Sequence, residues 1–147
     1  MSNDEKQRVS GFFGYKLKQT QHALRLRMDD ALRTLSLTTP QYGVLAQLEL
    51  KPGISNASLA RSSFITPQTM HSIISHLEKR HLVKRESDPE HGRILRTELT
   101  EEGKRVVREA HGIIRHVEER MMVTLDEEDR SLLEKLLLTC FNNLNTL

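Results

Sequence analysis

The sequence predicts a mainly α fold that carries one small β-wing. Two observations predict it. Apolar residues recur at helical spacings of 3, 4 and 7 through most of the chain. One stretch breaks that rhythm: Leu95, Thr97 and Leu99 alternate with Arg96 and Glu98, and Ser87 to Gly92 before them is turn chemistry throughout.

The bulk properties bound the answer. A chain of 147 residues is long enough for one domain with a real core, here taken as 1–147. No apolar run approaches the ~20 residues of a membrane span. Met1 to Arg8 is polar and leads into no signal-like apolar region, so a cytoplasmic location with no membrane partner is expected. One cysteine, Cys140, excludes an intramolecular disulfide framework. The net charge of +2 carries no argument, but its distribution does. Between Arg61 and Arg96, seven Lys or Arg face four acids, with four histidines besides. A local basic patch is the electrostatic footprint expected for phosphate contact.

Val9 to Leu35 reads as one helix, with Phe13, Leu17, Leu24, Met28, Ala31 and Leu35 on its apolar side. At 1.5 Å per residue it spans ~40 Å. It is either a core helix or one that leaves its domain to meet a second subunit. Thr39-Pro40-Gln41 has cap-plus-proline grammar and opens a second helix through Tyr42, Leu45 and Leu48, which Lys51-Pro52-Gly53 ends. Ser55 or Asn56 caps a short third helix, with Leu59 and Ala60 inward and Arg61 outward. Thr66 caps the fourth, with Pro67 at its first position and Ile65 and Met70 spaced as a hydrophobic staple.

Met70, Ile73, Ile74 and Leu77 make one stripe of that fourth helix. The opposite face shows Gln68, Ser72, Ser75 and Lys79, flanked by His71 and His76. It is polar yet almost uncharged, where a solvated face would more often carry Glu/Lys pairs. Such a face suits base edges in a major groove. A short helix, a tight turn and a longer helix make a helix-turn-helix. The hairpin of Leu82–Glu86 and Arg93–Leu99 is then a wing, with His91 and Arg93 at its tip within reach of a minor groove. Thr100 caps a fifth helix with Val106, Val107, Ala110, Ile113, Ile114, Val117 and Met121 on its apolar side. Asp126 to Asp129 open a last one, whose stripe is Leu133, Leu137, Cys140, Leu144 and Leu147. Residues 37–100 are therefore expected as a winged helix-turn-helix, and 9–36 and 101–147 as N- and C-terminal dimerisation helices.

In this order, the segments Leu37 to Leu45, Leu77 to Arg85, Asp88 to Arg93 and Leu99 to Gly103 make the chain resemble the multiple-antibiotic-resistance regulator (MarR) family of winged-helix repressors. The resemblance implies a homodimer joined by the first and last helices and bound to an approximately palindromic double-stranded DNA operator. It places Thr66–His81 in the major groove and Arg93 in the minor groove, with Asp88 holding the wing through Arg93 or Arg96. The expected DNA-facing set is Arg61, Thr66, Pro67, Gln68, Thr69, His71, Ser72, Ser75, His76, Lys79, Lys84, Arg85, His91, Arg93 and Arg96. Two departures stand out. Many relatives have glycine at His81, so a different local turn is expected. Arginines common at positions 72 and 76 are Ser72 and His76 here, which shifts phosphate contact toward Arg61, Lys84, Arg85 and the wing.

Relatives often bind small phenolic or aromatic acids between the dimer helices and the winged domain. Phe13, Tyr15, Leu17, Met28, Tyr42 and Leu45 could line such a pocket, and Lys16, His22 or Arg25 could meet a carboxylate; each apolar residue is equally at home in a core. The expected function is thus a DNA-binding transcriptional regulator, a repressor released by a small ligand.

Other classes fare less well. His71, His76 and His81 lie five apart, ~500° around a helix, so they do not face one ion. An inter-helix metal site with His22, His111 or His116 stays open as a minor alternative; no metal and no cofactor are expected. Cys140 on an apolar stripe reads as a buried, inert thiol rather than a redox sensor. No Gly-rich phosphate loop or nucleophile elbow suggests an enzyme. A divergent winged helix that binds protein is the remaining alternative, distinguished by a flat salt dependence.

Overall fold

In the computed structural model, which describes residues 2–146, the helix expected over 9–35 is three pieces. They are α1 (Asn3–Ser10), α2 (Phe13–Leu32) and a 3-10 turn at Arg33–Leu35. Gly11 ends α1, and Phe12 is extended at φ −79°, ψ 138°, so the chain breaks before α2. Apolar spacing ran through that break because Phe13 is 87% exposed and belongs to no core stripe of this chain.

Apart from β1, the rest follows the expected order: α3 (Thr39–Leu50), β1 (Ile54–Ser55), α4 (Asn56–Ser62), α5 (Pro67–Lys79), β2 (Val83–Ser87), β3 (Leu95–Leu99), α6 (Glu101–Met121) and α7 (Glu127–Asn145). The cap of α3 is Thr38, not Thr39. Its hydroxyl accepts the Gln41 amide while the Gln41 side chain accepts the Thr38 amide, a complete capping box. Thr39 is used elsewhere: its amide and hydroxyl both donate to Asp29 on α2, at 2.8 and 2.6 Å. Partial burial pushes the Asp29 carboxyl up, but these two donors and Arg25 outweigh it and hold it below the usual range.

The sheet has three antiparallel strands in the order β1-β3-β2. β1 was not foreseen, since two residues are too few to show an alternation; Ile54 pairs Thr97 and Ser55 pairs Arg96. Val83 pairs Leu99 and Ser87 pairs Leu95, so the wing strands start later than expected, and Arg93 and Ile94 fall in the tip. The core gathers α2 to α6: Leu32, Val44, Leu45, Leu59, Met70, Ile74, Leu77, Val107 and Ala110 are fully enclosed. Each large one contributes ~1.5–3 kcal/mol over leaving it in water.

Three helix ends share one device. Ser36, Phe64 and His81 have φ of 53°, 58° and 57°. After each, two amides turn back: Ser36 and Leu37 to Arg33 and Leu32, Phe64 and Ile65 to Arg61 and Ala60, His81 and Leu82 to Glu78 and Leu77. These are Schellman motifs, each with a left-handed residue that is not glycine. The turn after α5 is therefore the ordinary one, strain included, and not a different turn as His81 suggested.

The next peptide is a junction. The Leu82 carbonyl accepts the Thr100 amide at 3.0 Å, and the Thr100 hydroxyl donates to the His81 carbonyl at 2.6 Å. Gly103 on α6 packs on the same carbonyl so closely that a Cβ would sit 2.0 Å from the Leu82 oxygen.

α7 differs from every other long helix: residues 131–146 are all exposed. Its N-terminus is held by Arg130, which donates to the Leu125 and Met122 carbonyls and pairs with Glu119 at 2.8 Å. Leu147, assigned to its stripe, lies outside the described residues, as does Met1.

Replacing His81 with glycine relieves a left-handed strain and should stabilise the chain by ~1 kcal/mol, read as a raised thermal midpoint. Gly103→Ala should cost about 3 kcal/mol, because the obstacle is backbone and cannot swing aside. An unchanged midpoint would refute the close approach of α6 to the Leu82 carbonyl.

Candidate nucleic-acid interface

The N-terminus of α5 is capped by a neutral side chain. The Thr66 hydroxyl accepts the Thr69 amide at 3.2 Å, Pro67 follows, and no acid lies in the first turn. α2, α3 and α4 share this acid-free start, whereas α6 and α7 each open on acids, Glu101 and Glu102 in one and Glu127 to Asp129 in the other. A bare helix N-terminus keeps its partial positive charge for a phosphate. Met70, Ile74 and Leu77 bury the inner stripe, which leaves Gln68, Thr69, His71, Ser72, His76 and Lys79 exposed on the outer face. Ser75 is half-buried at its edge.

The helix is anchored at its far end. Arg80 donates to the carbonyls of Ser36 and Leu35 at 2.7 and 2.9 Å, which ties α5 to the turn after α2. Arg85 grips Glu78 with two bonds, 3.2 and 2.8 Å long, joining β2 to α5. The bond to Arg85 holds the Glu78 carboxyl below its usual range, and the arginine is raised in turn. Arg85, expected among the phosphate contacts, is thus engaged within the fold.

The wing is organised by Asp88, only 6% exposed. One oxygen accepts the amides of Glu90 and His91 at 2.8 and 3.0 Å. The other accepts the Arg96 Nε–H, and Arg96 Nη1 reaches the Gly53 carbonyl at 2.7 Å. The Glu90 amide foremost, then Arg96 and the His91 amide, hold the Asp88 carboxyl below the usual range. Of the two arginines the resemblance offered, Arg96 holds the wing. It is a strut between tip, strand and β1 loop rather than a free cation. Arg93 and His91 are left exposed at the tip, with no carboxylate partner for Arg93 among the described residues. Lys84 leans toward Glu86 at 3.5 Å and Arg61 donates to Ser58 at 2.9 Å, both at the surface.

The expected ligand residues scatter. Leu45 is wholly inside the core, and Met28 packs against it. Phe13 is exposed, as are Tyr15, Leu17, Lys16, His22 and Arg25 on α2. The phenol of Tyr42 meets His111 Nδ1 at 2.8 Å, and His111 Nε2 meets Glu49 at 2.9 Å. Burial first, then the charges of Glu118 and Glu49, push the Tyr42 phenol up against the pull of Arg115, so it keeps its proton. That chain of contacts fastens α3 to α6 across 69 residues of sequence. It was not legible from any motif. None of the nine pocket candidates lines the cleft between α2 and α6, a cavity of about 380 Å³. Its walls are Leu24, Ala31, Val117 and Met121, with Arg27 and Arg120 at the edge.

Two other expectations meet the structure here. Cys140 is exposed in the single chain, not buried. Among the described residues, no group of three His, Cys, Asp or Glu is placed to hold a metal ion, and no helix is long and apolar enough to cross a membrane.

Comparison with known proteins agrees with this architecture. A family model described as the MarR family matches residues 35–94. The HTH-type transcriptional repressor Rv2887 of Mycobacterium tuberculosis is 34% identical over 127 residues, 84% of this chain and 91% of that protein. The transcriptional repressor CouR, solved bound to a 23-mer DNA duplex, matches with a TM-score of 0.84 at 26% identity, over 90% of this chain and 94% of that one. Rv2887 in complex with salicylic acid matches with a TM-score of 0.74 at 30% identity, over 88% and 96%. With a bare helix N-terminus, an almost uncharged outer face and a braced wing on a fold shared along most of its length, the chain belongs to the MarR family.

Proposed function

We propose that this chain is a homodimeric transcriptional repressor that binds an approximately palindromic operator and is released by a small aromatic acid. The observation that carries the reading is the pairing of two free surfaces on one rigid unit. The outer face of α5 offers hydrogen-bonding groups without carboxylates, and the wing offers an unpaired Arg93. Gln68, Thr69, His71 and Ser72 would read base edges, and the α5 amides, Arg61, Lys79 and Lys84 would meet phosphate. His91 and Arg93 would enter the minor groove. The likeness to CouR bound to DNA supports this use of the fold.

Dimerisation is supported by what α7 leaves uncovered. Leu132, Leu133, Leu136, Leu137, Phe141 and Leu144 are 37 to 72% exposed along one helix, beside the exposed Phe12 and Phe13 before α2. An apolar surface of that extent marks an interface, and a two-fold pair would set two recognition helices one duplex turn, ~34 Å, apart. For the effector, the likeness to Rv2887 with salicylic acid supports a benzoic acid. The cleft between α2 and α6 has the size of a small-molecule site and two arginines, Arg27 and Arg120, suited to a carboxylate.

The test is fluorescence anisotropy with selection from a random duplex library at two salt concentrations. The expected winner is an inverted repeat bound by two protomers, with affinity falling steeply as salt rises, and salicylate should release it. Arg93→Ala should bind more weakly, with a log–log salt slope shallower by about 0.9, one phosphate's worth. A parental chain with neither sequence preference nor salt dependence would return the protein-binding alternative.

Asp88→Asn should also weaken binding, about tenfold, because the neutral amide gives Arg96 no charge to hold. The Asp88 carboxyl is depressed in the folded chain. Its contribution is therefore complete above the ordinary aspartate range near ~3.9 and is lost as pH falls through its lower folded value. Wing order followed by hydrogen exchange should thus be flat from neutral pH to about 5. A wing that loosens near neutrality would break the assignment of Asp88 as its anchor.

A further inference from the structure

Phe64 lies in the turn between α4 and α5, two residues before the Thr66 cap, and its ring is 82% exposed. A lone exposed phenyl is ordinary on a protein surface. The backbone beneath this one is not, because it holds φ at +58° where glycine or asparagine sit without strain. Folding has no use for the ring. It lies outside the core cluster, and the motif's apolar clasp is supplied by Ile65, which packs against that cluster. The other two left-handed helix stops carry polar side chains, Ser36 and His81.

Most large exposed apolar side chains lie on α2 and α7 or just before α2, where a second copy would cover them. Phe64 is on the winged unit instead. Its neighbours are Arg61, in the last turn of α4, and the α5 N-terminus, a helix end that carries positive dipole charge and no acid. An apolar ring is thus held, at a conformational cost, at the rim of a surface that is otherwise polar and cationic.

We propose that Phe64 is a DNA-contacting residue whose ring packs on a deoxyribose of the strand bordering the groove that α5 enters. The proposal rests on the DNA-binding reading above and adds to it a contact of a different kind. Deoxyribose is the apolar part of a nucleic-acid backbone, flanked on both sides by phosphates that the α5 N-terminus and Arg61 would engage. A ring seated on the sugar removes apolar surface from water. It displaces no counterion, so its share of the affinity does not change with salt, and it reads no base, so it does not change the preferred sequence. This separates it from Arg93, whose loss must flatten the salt slope.

The experiment compares the parent, Phe64→Asn and Phe64→Tyr on the duplex that the parent selects, at two salt concentrations, with thermal midpoints measured alongside. Asparagine tolerates the left-handed backbone, so that variant should melt at the parental temperature or above it. It should nevertheless bind the duplex about tenfold more weakly, the equivalent of ~1.4 kcal/mol, with the salt slope and preferred sequence unchanged. Phe64→Tyr keeps the ring and should bind within about twofold of the parent. Phe64→Asn binding as tightly as the parent overturns the contact. So does a loss that comes with a shallower slope, since that would assign the effect to displaced cations. A parent that selects no duplex fails at an earlier step, and it overturns the DNA-binding reading together with this contact.

Discussion

Four elements meet at the peptide of Leu82, and the position of the recognition helix depends on that meeting. Its carbonyl accepts the amide of Thr100, while the carbonyl before it accepts the Thr100 hydroxyl. Gly103 closes over the same oxygen with no room for a side chain. The end of α5, the start of β2, the end of β3 and the first turn of α6 are thereby pinned within a few ångströms. α6 runs 21 residues away from this point along the length of the molecule. Any tilt of α6 is therefore delivered to α5 without a flexible joint between them. Arg80 repeats the arrangement on the other side, fastening α5 to the turn after α2.

Much of this architecture was legible because caps and periodicity are local. Thr66-Pro67 and Thr100 mark the starts of α5 and α6 correctly, and Met70, Ile74 and Leu77 are the buried stripe they were expected to be. The errors also have local causes. Thr38 and Thr39 are equally good caps on paper, and only the contact with Asp29, ten residues earlier, decides between them. The helix stops were harder, since glycine is the usual sign of a left-handed residue and none of the three has it. A usable sign was present nonetheless. Each stop is followed by an apolar residue five positions after another, Leu32 and Leu37, Ala60 and Ile65, Leu77 and Leu82, and these pairs all lie in or against the core. That spacing is the clasp of a Schellman motif. It can be read without glycine.

The site was legible in its types and less so in its roles. A basic segment can be counted from sequence, but which of its cations are free depends on pairing. Arg85 and Arg96 look the same as Arg93 in a string of letters. Folded, the first grips Glu78, the second braces Asp88 and Gly53, and only the third remains at the tip without a carboxylate. The contact of Tyr42 with His111 and Glu49 joins residues 62 and 69 positions apart, beyond any local pattern. The cleft between α2 and α6 was missed for a related reason: its walls are side chains at ordinary helical spacing, indistinguishable from core until the two helices are placed side by side.

These contacts define what an effector has to do. The winged unit is rigid, with α3 held to α6 through Tyr42 and His111 and α5 held to both flanking helices. A ligand between α2 and α6 would gain little by deforming it. Apolar surface is left exposed along α7 and at the start of α2, and on the proposed function that is where a second copy would meet the chain and where movement would be easiest. On the proposed function, release would be a rigid-body change in the spacing of two recognition helices. Its energetics are set by differential affinity alone: a ligand that prefers the non-binding spacing tenfold shifts the balance by ~1.4 kcal/mol. A hundredfold loss of operator affinity needs twice that, within reach of one carboxylate meeting one arginine. The close contacts at the Leu82 junction would let so small a difference, made far from the DNA, reach the groove on the proposed function.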